Sequence, residues 1–171
     1  LKRDKLLKSG QTNDDFLNLS RQFSSADIIV IAAPYWDLLF PAVLRIYLEN
    51  ITVCGITFRY SEKGIPIGLC KAEKLYYITT SGGFINENNF GFDYVKALAT
   101  TLFGIETVQS FSAEGLDIEG ADIGQILQQA KEKAVNTINT ELLEANWQTG
   151  KYIVEFEQGG KARAEYGKQL L

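Results

Sequence analysis

The sequence contains no histidine among its 171 residues. This absence excludes Ser-His-Asp and Cys-His catalytic arrangements and the commonest zinc sites, because all of them depend on an imidazole. Any catalysis by this chain therefore needs carboxylates or a borrowed cofactor. Methionine is also absent, even at position 1, which predicts that the chain as written is not a complete gene product, whether it is trimmed or lacks modified methionines.

Cysteines, basic patches and long apolar runs are also scarce. Cys54 and Cys70 form neither a CxxC motif nor a metal-ligand spacing, so we expect reduced thiols that serve as buried small hydrophobes rather than redox groups. A net charge of -4 without a sustained Lys/Arg patch argues against nucleic-acid binding. Neither an apolar run of membrane length nor a signal peptide is recognisable. We therefore expect a cytoplasmic domain with no nucleic-acid or membrane partner.

The most informative stretch is Asp27 to Pro41, DIIVIAAPYWDLLFP. Ile28 to Ala33 are continuously apolar and rich in β-branched residues, which predicts a strand buried on both faces of a parallel sheet. Pro34 lacks an amide donor and ends the strand, and Pro41 suits the first turn of a helix. The residues between the two prolines form a strand-to-helix loop, and ligands of open α/β sheets bind at such loops.

A helix and a hairpin are predicted next. AVLRIYLENI is amphipathic, with Arg45 and Glu49 as an exposed pair one turn apart. Its predicted inward residues are Val43, Leu44, Tyr47, Leu48 and Ile51. From Gly55 the apolar residues alternate, which predicts an inserted β-hairpin over GITFRYSEKGIPIGL.

Two further strand-to-helix units complete the pattern. LYYITT predicts a strand that ends at Ser81, and the helix after it is closed by Gly104. ETVQSF predicts a third strand, and Asp122 is placed to cap a long helix. The predicted inward residues of that helix are Ile123, Ile126, Leu127, Ala130 and Ala134. This alternation predicts an α/β fold with a doubly wound parallel sheet.

Four motifs occur in order between Phe23 and Ala130: AAPYWDLLFPAVLRIYLENI, GITFRYSEKG, YITTSGG, and LFGI followed by AEGLD. Together they resemble the flavodoxin-like FMN-dependent NADH azoreductases and the related NAD(P)H:quinone oxidoreductases. The resemblance implies a homodimeric flavoprotein that takes hydride from NADH or NADPH through FMN to a quinone or azo acceptor. It implies that residues 1–129 form a flavodoxin-like FMN-binding domain.

The resemblance also implies which residues bind the cofactor. The family's loop Pro-Met-Trp/Tyr-Asn-Phe corresponds to Pro34, Tyr35, Trp36, Asp37 and Leu38. Amides and aromatic rings of such a turn fit the edge and faces of a flavin. Asp37 replaces the family's asparagine, and its negative charge would disfavour an anionic reduced flavin.

The resemblance implies a second cofactor-binding loop in the same way. It implies no catalytic residue and no metal ligand. The family's Ser-Arg-Gly-Gly corresponds to Thr80, Ser81, Gly82 and Gly83. The glycines let the backbone approach the flavin closely, whereas Ser81 in place of arginine removes a charge.

The family's first strand and Ser-rich phosphate loop have no counterpart in this sequence. That strand is central in a 2-1-3-4-5 sheet, so its loss would leave backbone groups unpaired. Three explanations are open: upstream sequence has been lost, another element fills the gap, or the chain does not hold FMN tightly.

Structural explanations compete with each of these assignments. The proline-bounded loop is equally explained as a packed turn whose Tyr35, Trp36, Leu38 and Phe40 fill the core, and the Ser81 loop as a simple turn. Phe84 and Phe90 either line the substrate side or contact a partner subunit. The alternative function is a non-catalytic remnant or a dimerisation module.

Residues 130–171 resemble a different family, the N-terminal helical domain that precedes a PD-(D/E)XK-like nuclease in some bacterial proteins. The segments VNTINTELLEANWQTGKYIVEFEQGG and KARAEYGKQLL carry that likeness. No catalytic carboxylate cluster is visible in them, so we assign this helical tail no chemistry and expect it to pack on the domain or to mediate self-association. A DNA-associated role would rest on the tail alone, and the pI near 5.0 weighs against it.

Overall fold

The computed structural model describes the backbone of residues 17–152 and the side chains of residues 17–141. Its elements, in chain order, are α1 (Asn18–Ser25), β1 (Ile28–Ala32), α2 (Ala42–Ile51), β2 (Phe58–Tyr60), β3 (Pro66–Gly68), β4 (Lys74–Thr80), α3 (Phe90–Leu98), a π-helical turn (Ala99–Phe103), β5 (Thr107–Ala113) and α4 (Ile123–Tyr152). Among these residues, no helix combines the length and apolarity needed to cross a membrane.

The chain divides into two compact units, Leu1–Ala130 and Lys131–Leu171. In the second unit, the predicted helical structure is confirmed as far as Tyr152, and the rest of the tail lies outside the described residues. The functional division, an FMN-binding domain over residues 1–129 and a tail over 130–171, stays a prediction.

The first unit is built on a parallel sheet in the order β1-β4-β5. Ile31 lies opposite Tyr77, and Tyr77 lies opposite Ser110. Strand and helix alternate as the sequence predicts, which confirms the α/β fold. Because all three strands run in one direction, the loops that follow them emerge at the same edge of the sheet.

One face of the sheet carries the main core. Ile29 and Ile31 of β1 and Tyr77 of β4 pack with apolar side chains from the three shorter helices. The helix residues of this cluster include Phe23 of α1, Leu48 and Ile51 of α2, and Val95 of α3. Burial of this apolar surface holds the helices on the sheet.

The second face of β1 is not buried, and here the prediction was wrong. Ile29 and Ile31 are buried, whereas Val30 is 49% exposed and Ala32 is also exposed. Among the described residues β1 pairs with β4 alone, and the core cluster lies on the face that carries Ile29 and Ile31. A strand with one covered face shows alternating burial, even when its sequence is apolar throughout.

The helices differ from the prediction at three apolar positions. Val43 is 71% exposed although Leu48 and Ile51 of the same helix are buried. Ile123 and Leu127 of α4 are likewise exposed. The period of an amphipathic helix fixes which residues share a face, but the width of the covered stripe depends on what packs there.

Several local predictions are confirmed. Arg45 Nε donates to Glu49 Oε1 at 2.9 Å on the exposed face of α2. Asp122 Oδ1 accepts from the Gln125 N–H at 2.9 Å and caps α4. Gly104 ends the π-helical turn that follows α3. Its φ of 77° is the left-handed conformation that glycine adopts most readily.

The inserted hairpin is confirmed as β2 and β3, and it packs very closely on the π-helical turn. A Cβ at Gly68 would overlap the backbone of Phe103 and Gly104. Backbone atoms cannot move aside as a flexible side chain can, so this position requires glycine.

We expect Gly68→Ala to lower the free energy of unfolding by about 3 kcal/mol, because the added methyl forces the hairpin off the π-helical turn. Urea denaturation followed by circular dichroism measures this change. Gly83→Ala is the matched control, since a Cβ at Gly83 meets no atom within 4 Å. We expect that control to change stability by less than about 0.5 kcal/mol, and equal losses in both variants would contradict the close contact.

The two cysteines differ in exposure. Cys54 is exposed, so the prediction that it is a buried small hydrophobe was wrong, and Cys70 is half-buried. Burial of the Cys70 thiol disfavours its charged form and raises its pKa to about 11.

The exposure and the raised pKa predict selective alkylation. At pH 8 only about 0.1% of Cys70 is thiolate, so iodoacetamide should modify Cys54 first in the folded protein. The rate at Cys70 should rise about tenfold for each pH unit below its pKa. Peptide mass spectrometry follows both sites, with urea-unfolded protein as control, and rapid labelling of Cys70 at pH 8 would contradict its burial.

Candidate functional site

The first predicted loop folds into a tight turn beyond β1. The Trp36 N–H donates to the Leu39 carbonyl at 3.1 Å, and the Leu39 N–H donates to the Trp36 carbonyl at 2.8 Å. At the centre of the turn, Asp37 and Leu38 have φ values of 49° and 68°. Two positive φ values between bridged residues fit a type I′ turn.

This turn holds two non-glycine residues in a left-handed conformation. Aspartate tolerates that region better than most residues, whereas leucine does not. The conformation costs a residue with a Cβ roughly 1–2 kcal/mol. Such strain is concentrated at ligand-binding sites, where neighbouring contacts maintain it.

The explanation of this loop as a packed turn fails for two of its four large side chains. Phe40 is buried, as that explanation requires, but Trp36 is 59% exposed and Leu38 is 51% exposed. Tyr35 is half-buried, and its hydroxyl donates to the Asn88 carbonyl at 2.9 Å. The turn therefore presents an indole and an aliphatic side chain at the surface.

The second predicted loop lies directly beside the first. The Tyr35 N–H donates to the Thr80 carbonyl at 2.8 Å, which joins the two loops at the edge of the sheet. Ser81 is buried, and its hydroxyl donates to the Gly83 carbonyl at 2.6 Å. The serine that replaces the family's arginine is thus used within the loop, and its side chain does not face solvent.

A third loop, residues 113–117, forms backbone hydrogen bonds with the second loop. The Ser81 N–H donates to the Ala113 carbonyl at 2.9 Å. In return, the second loop accepts three backbone bonds of 2.9 to 3.2 Å, from the N–H groups of Gly115, Leu116 and Asp117. From the sequence, this AEGLD segment contributes to the family resemblance but is not predicted as a site loop. Its position after β5, at the same sheet edge, was the available signal.

The two glycines of the second loop meet different surroundings. A Cβ at Gly82 would overlap the Asp117 carboxylate, whereas a Cβ at Gly83 would meet no atom within 4 Å. Gly83 is also exposed. Gly82 therefore serves packing against the third loop, and Gly83 leaves open backbone toward solvent.

Two buried hydroxyls on the core face of β4, Tyr77 Oη and Thr79 Oγ1, have no hydrogen-bond partner among the described residues. Burial raises the pKa of Tyr77, and the nearby Thr79 hydroxyl opposes that shift although the pair lacks hydrogen-bond geometry. Tyr77 is therefore protonated at neutral pH and cannot act as a general base.

Residues 5–138 match the family model described as a flavodoxin-like fold. The chain belongs to this family. A second family model, described as the DUF1016 N-terminal domain, matches residues 122–171, so the two matches overlap in the first part of α4. The first match confirms the flavodoxin-like fold for the sheet and its helices.

The curated relatives of this flavodoxin-like chain are named as flavoenzymes. It is 39% identical to an FMN-dependent NADH:quinone oxidoreductase of Clostridium beijerinckii over 73% of this chain and 63% of that protein. It is 40% identical to FMN-dependent NADH:quinone oxidoreductase 2 of Clostridium acetobutylicum, over 74% and 66%. The chain thus spans slightly less than two thirds of these relatives.

A solved structure agrees on the fold. The FMN-dependent NADH-azoreductase of Bacillus anthracis strain Ames Ancestor, in complex with FMN, superposes with a TM-score of 0.65. The two share 24% sequence identity over 81% of this chain and 71% of that one. The arrangement of strands and loops in this flavodoxin-like chain is therefore one that a solved protein also has.

The strained turn of this flavodoxin-like domain gives a stability prediction. We expect the double substitution Asp37→Asn, Leu38→Gly to raise the free energy of unfolding by about 1 kcal/mol, because Asn-Gly is the preferred type I′ pair. Leu38→Ala is the control, since alanine shortens the side chain but keeps the left-handed penalty. Urea midpoints measure both, and a double variant less stable than the parent would contradict the turn geometry.

Proposed function

We propose that this domain binds FMN and acts as an FMN-dependent NAD(P)H oxidoreductase on quinone or azo acceptors. The names of its relatives support the cofactor and the reaction class. The observation that carries the proposal is the 2.8 Å bond from the Tyr35 N–H to the Thr80 carbonyl. It sets an exposed tryptophan and an open glycine loop side by side at the sheet edge.

The residues present fit the isoalloxazine part of FMN. Within the part of the chain that the structure describes, the Asp37 and Leu38 N–H groups donate to no acceptor, so they are available to the polar edge of a ring. Trp36 offers an exposed aromatic plane for stacking. Gly83 leaves room for a ring to approach the backbone. The site residues of the proposal are those two loops, Pro34 to Leu38 and Thr80 to Gly83.

Bound FMN would supply the exchange of two electrons between a nicotinamide and the acceptor. The chain's own residues bind and orient the ring and exclude water from one face of it. The Asp37 carboxylate, in an exposed turn, makes accumulation of negative charge on a bound ring less favourable. We assign no general acid or base to the two loops, because bound FMN would supply the reaction chemistry and the protein groups would supply orientation and hydrogen bonds.

The proposal includes a second subunit. Phe90 is a large side chain that is 50% exposed at the start of α3, and exposed aromatic residues are common in interfaces. We propose a cytoplasmic homodimer with a small-molecule quinone or azo acceptor, and NADH or NADPH as the reductant.

Titration with FMN, followed by quenching of flavin fluorescence, tests this function. We expect saturable binding by the parent chain. Trp36→Ala should raise the Kd about fivefold through loss of about 1 kcal/mol of stacking. Gly83→Ala should weaken binding at least as much, because its methyl enters the space of the ring while the fold is unaffected.

Val43→Ala is the control for this titration, since Val43 is also an exposed apolar residue but lies on α2. Its Kd should equal that of the parent. Absence of saturable binding at high micromolar FMN, or an equal Kd for all four proteins, would overturn the proposal.

A further inference from the structure

The segment Phe84–Asn89 connects the second loop to α3 and displays the most exposed of the aromatic rings near the sheet edge. Phe84 is 67% exposed. A Cβ at Gly115 would contact its ring at 3.4 Å, so the ring stands beside the third loop. The neighbouring Ile85 is buried and anchors the segment in the fold.

The Glu114 carboxylate adds a hydrogen-bonded anchor at the start of this segment. Glu114 Oε2 accepts from the Ile85 N–H at 2.9 Å, and Glu114 Oε1 accepts from the Ser112 hydroxyl at 2.6 Å. Both oxygens of the half-buried carboxylate are therefore engaged. Bonds to an ionised acceptor are stronger than those between neutral groups, so Glu114 ties the backbone next to Phe84 to the end of β5.

The far end of the segment has a separate anchor. The Tyr35 hydroxyl donates to the Asn88 carbonyl at 2.9 Å, and the Asn89 side chain accepts from the Phe92 N–H at 3.0 Å and caps α3. Between the anchors the Asn88 N–H donates to the Ile85 carbonyl at 3.3 Å. Loss of the Glu114 side chain would thus remove the hydrogen-bonded anchor at one end of the segment while the bonds at the other end remain.

The glycine loop that precedes the segment does not depend on Glu114. Residues 81–83 are held by backbone bonds to Ala113, Gly115, Leu116 and Asp117. These bonds persist when the Glu114 side chain is changed. The structure therefore separates a backbone-held part, residues 81–83, from a side-chain-held part that begins at Phe84.

We propose that Glu114 is a positioning residue for the acceptor side of the site. This role of Glu114 rests on the proposed function. In it, the glycine loop contacts FMN and the Phe84 ring contacts the acceptor. By fixing the Ile85 backbone, Glu114 sets where the ring of Phe84 stands. An exposed ring in a fixed place suits a flat aromatic acceptor, such as a quinone.

The test compares Glu114→Ala, Glu114→Gln and the control Glu119→Ala, which removes an exposed carboxylate from the same loop region. Three quantities are measured on the full chain: hydrogen exchange at the Ile85 amide without flavin, the Kd for FMN, and steady-state constants with 1,4-benzoquinone and NADH.

We expect Glu114→Ala to speed Ile85 exchange and to raise the KM for benzoquinone about fivefold through loss of a charge-assisted bond. The kcat and the Kd for FMN should stay within about twofold. Glu114→Gln should restore the KM, because its amide oxygen can still accept from the Ile85 N–H. Glu119→Ala should match the parent in all three.

Unchanged exchange and KM in Glu114→Ala would overturn the positioning role. A KM and a flavin Kd that rise together would overturn its assignment to the acceptor side. Failure of glutamine to restore the KM would overturn positioning through the bond to the Ile85 N–H. A parent chain that binds no FMN would overturn the proposed function and this role with it. The exchange measurement would still report separately whether Glu114 holds the segment.

Discussion

The parallel pairing of β4 with both of its neighbours is the constraint on which the site depends. Ladder bonds continue past the strand ends, where the N–H groups of Ala33 and Tyr35 donate to Ile78 and Thr80 at 3.0 and 2.8 Å. On the other side, the Ser81 N–H donates to the Ala113 carbonyl at 2.9 Å. The three loops therefore begin in fixed register and diverge only beyond those bonds. A shift of one residue in β4 would reverse the face of every side chain on it and separate the loops.

Much of the fold could be predicted from the sequence because its signals are local. A proline after an apolar run, a glycine in left-handed conformation at Gly104 and a capping carboxylate at Asp122 each act within a few residues. The exposure of Val30 and Val43 could not be predicted, since it depends on which surfaces another element covers. An apolar residue on a strand or helix shows that burial is allowed there, and only the packed neighbours decide whether it occurs.

The candidate site, like the fold, could be predicted only in part from the sequence. The residue types of the two loops were visible through a family resemblance, and the structure places them next to each other. The bond between Ile85 and Glu114 joins residues 29 positions apart, and no period or motif in a single sequence reports such a contact. The left-handed conformation at Leu38 was equally hidden, because leucine gives no sign of a positive φ, whereas aspartate or asparagine would.

The turn at Asp37 and Leu38 shows how the fold maintains a locally unfavourable conformation. Two backbone bonds between Trp36 and Leu39 close the turn, and the Tyr35 hydroxyl and Phe40 side chain anchor its two ends. With its ends fixed, the turn keeps Trp36, Asp37 and Leu38 exposed. A ligand that binds such a surface loses little affinity to ordering the loop, because the rest of the fold has already ordered it. The strain is therefore consistent with a binding surface, because backbone strain of this kind is concentrated at ligand-binding sites.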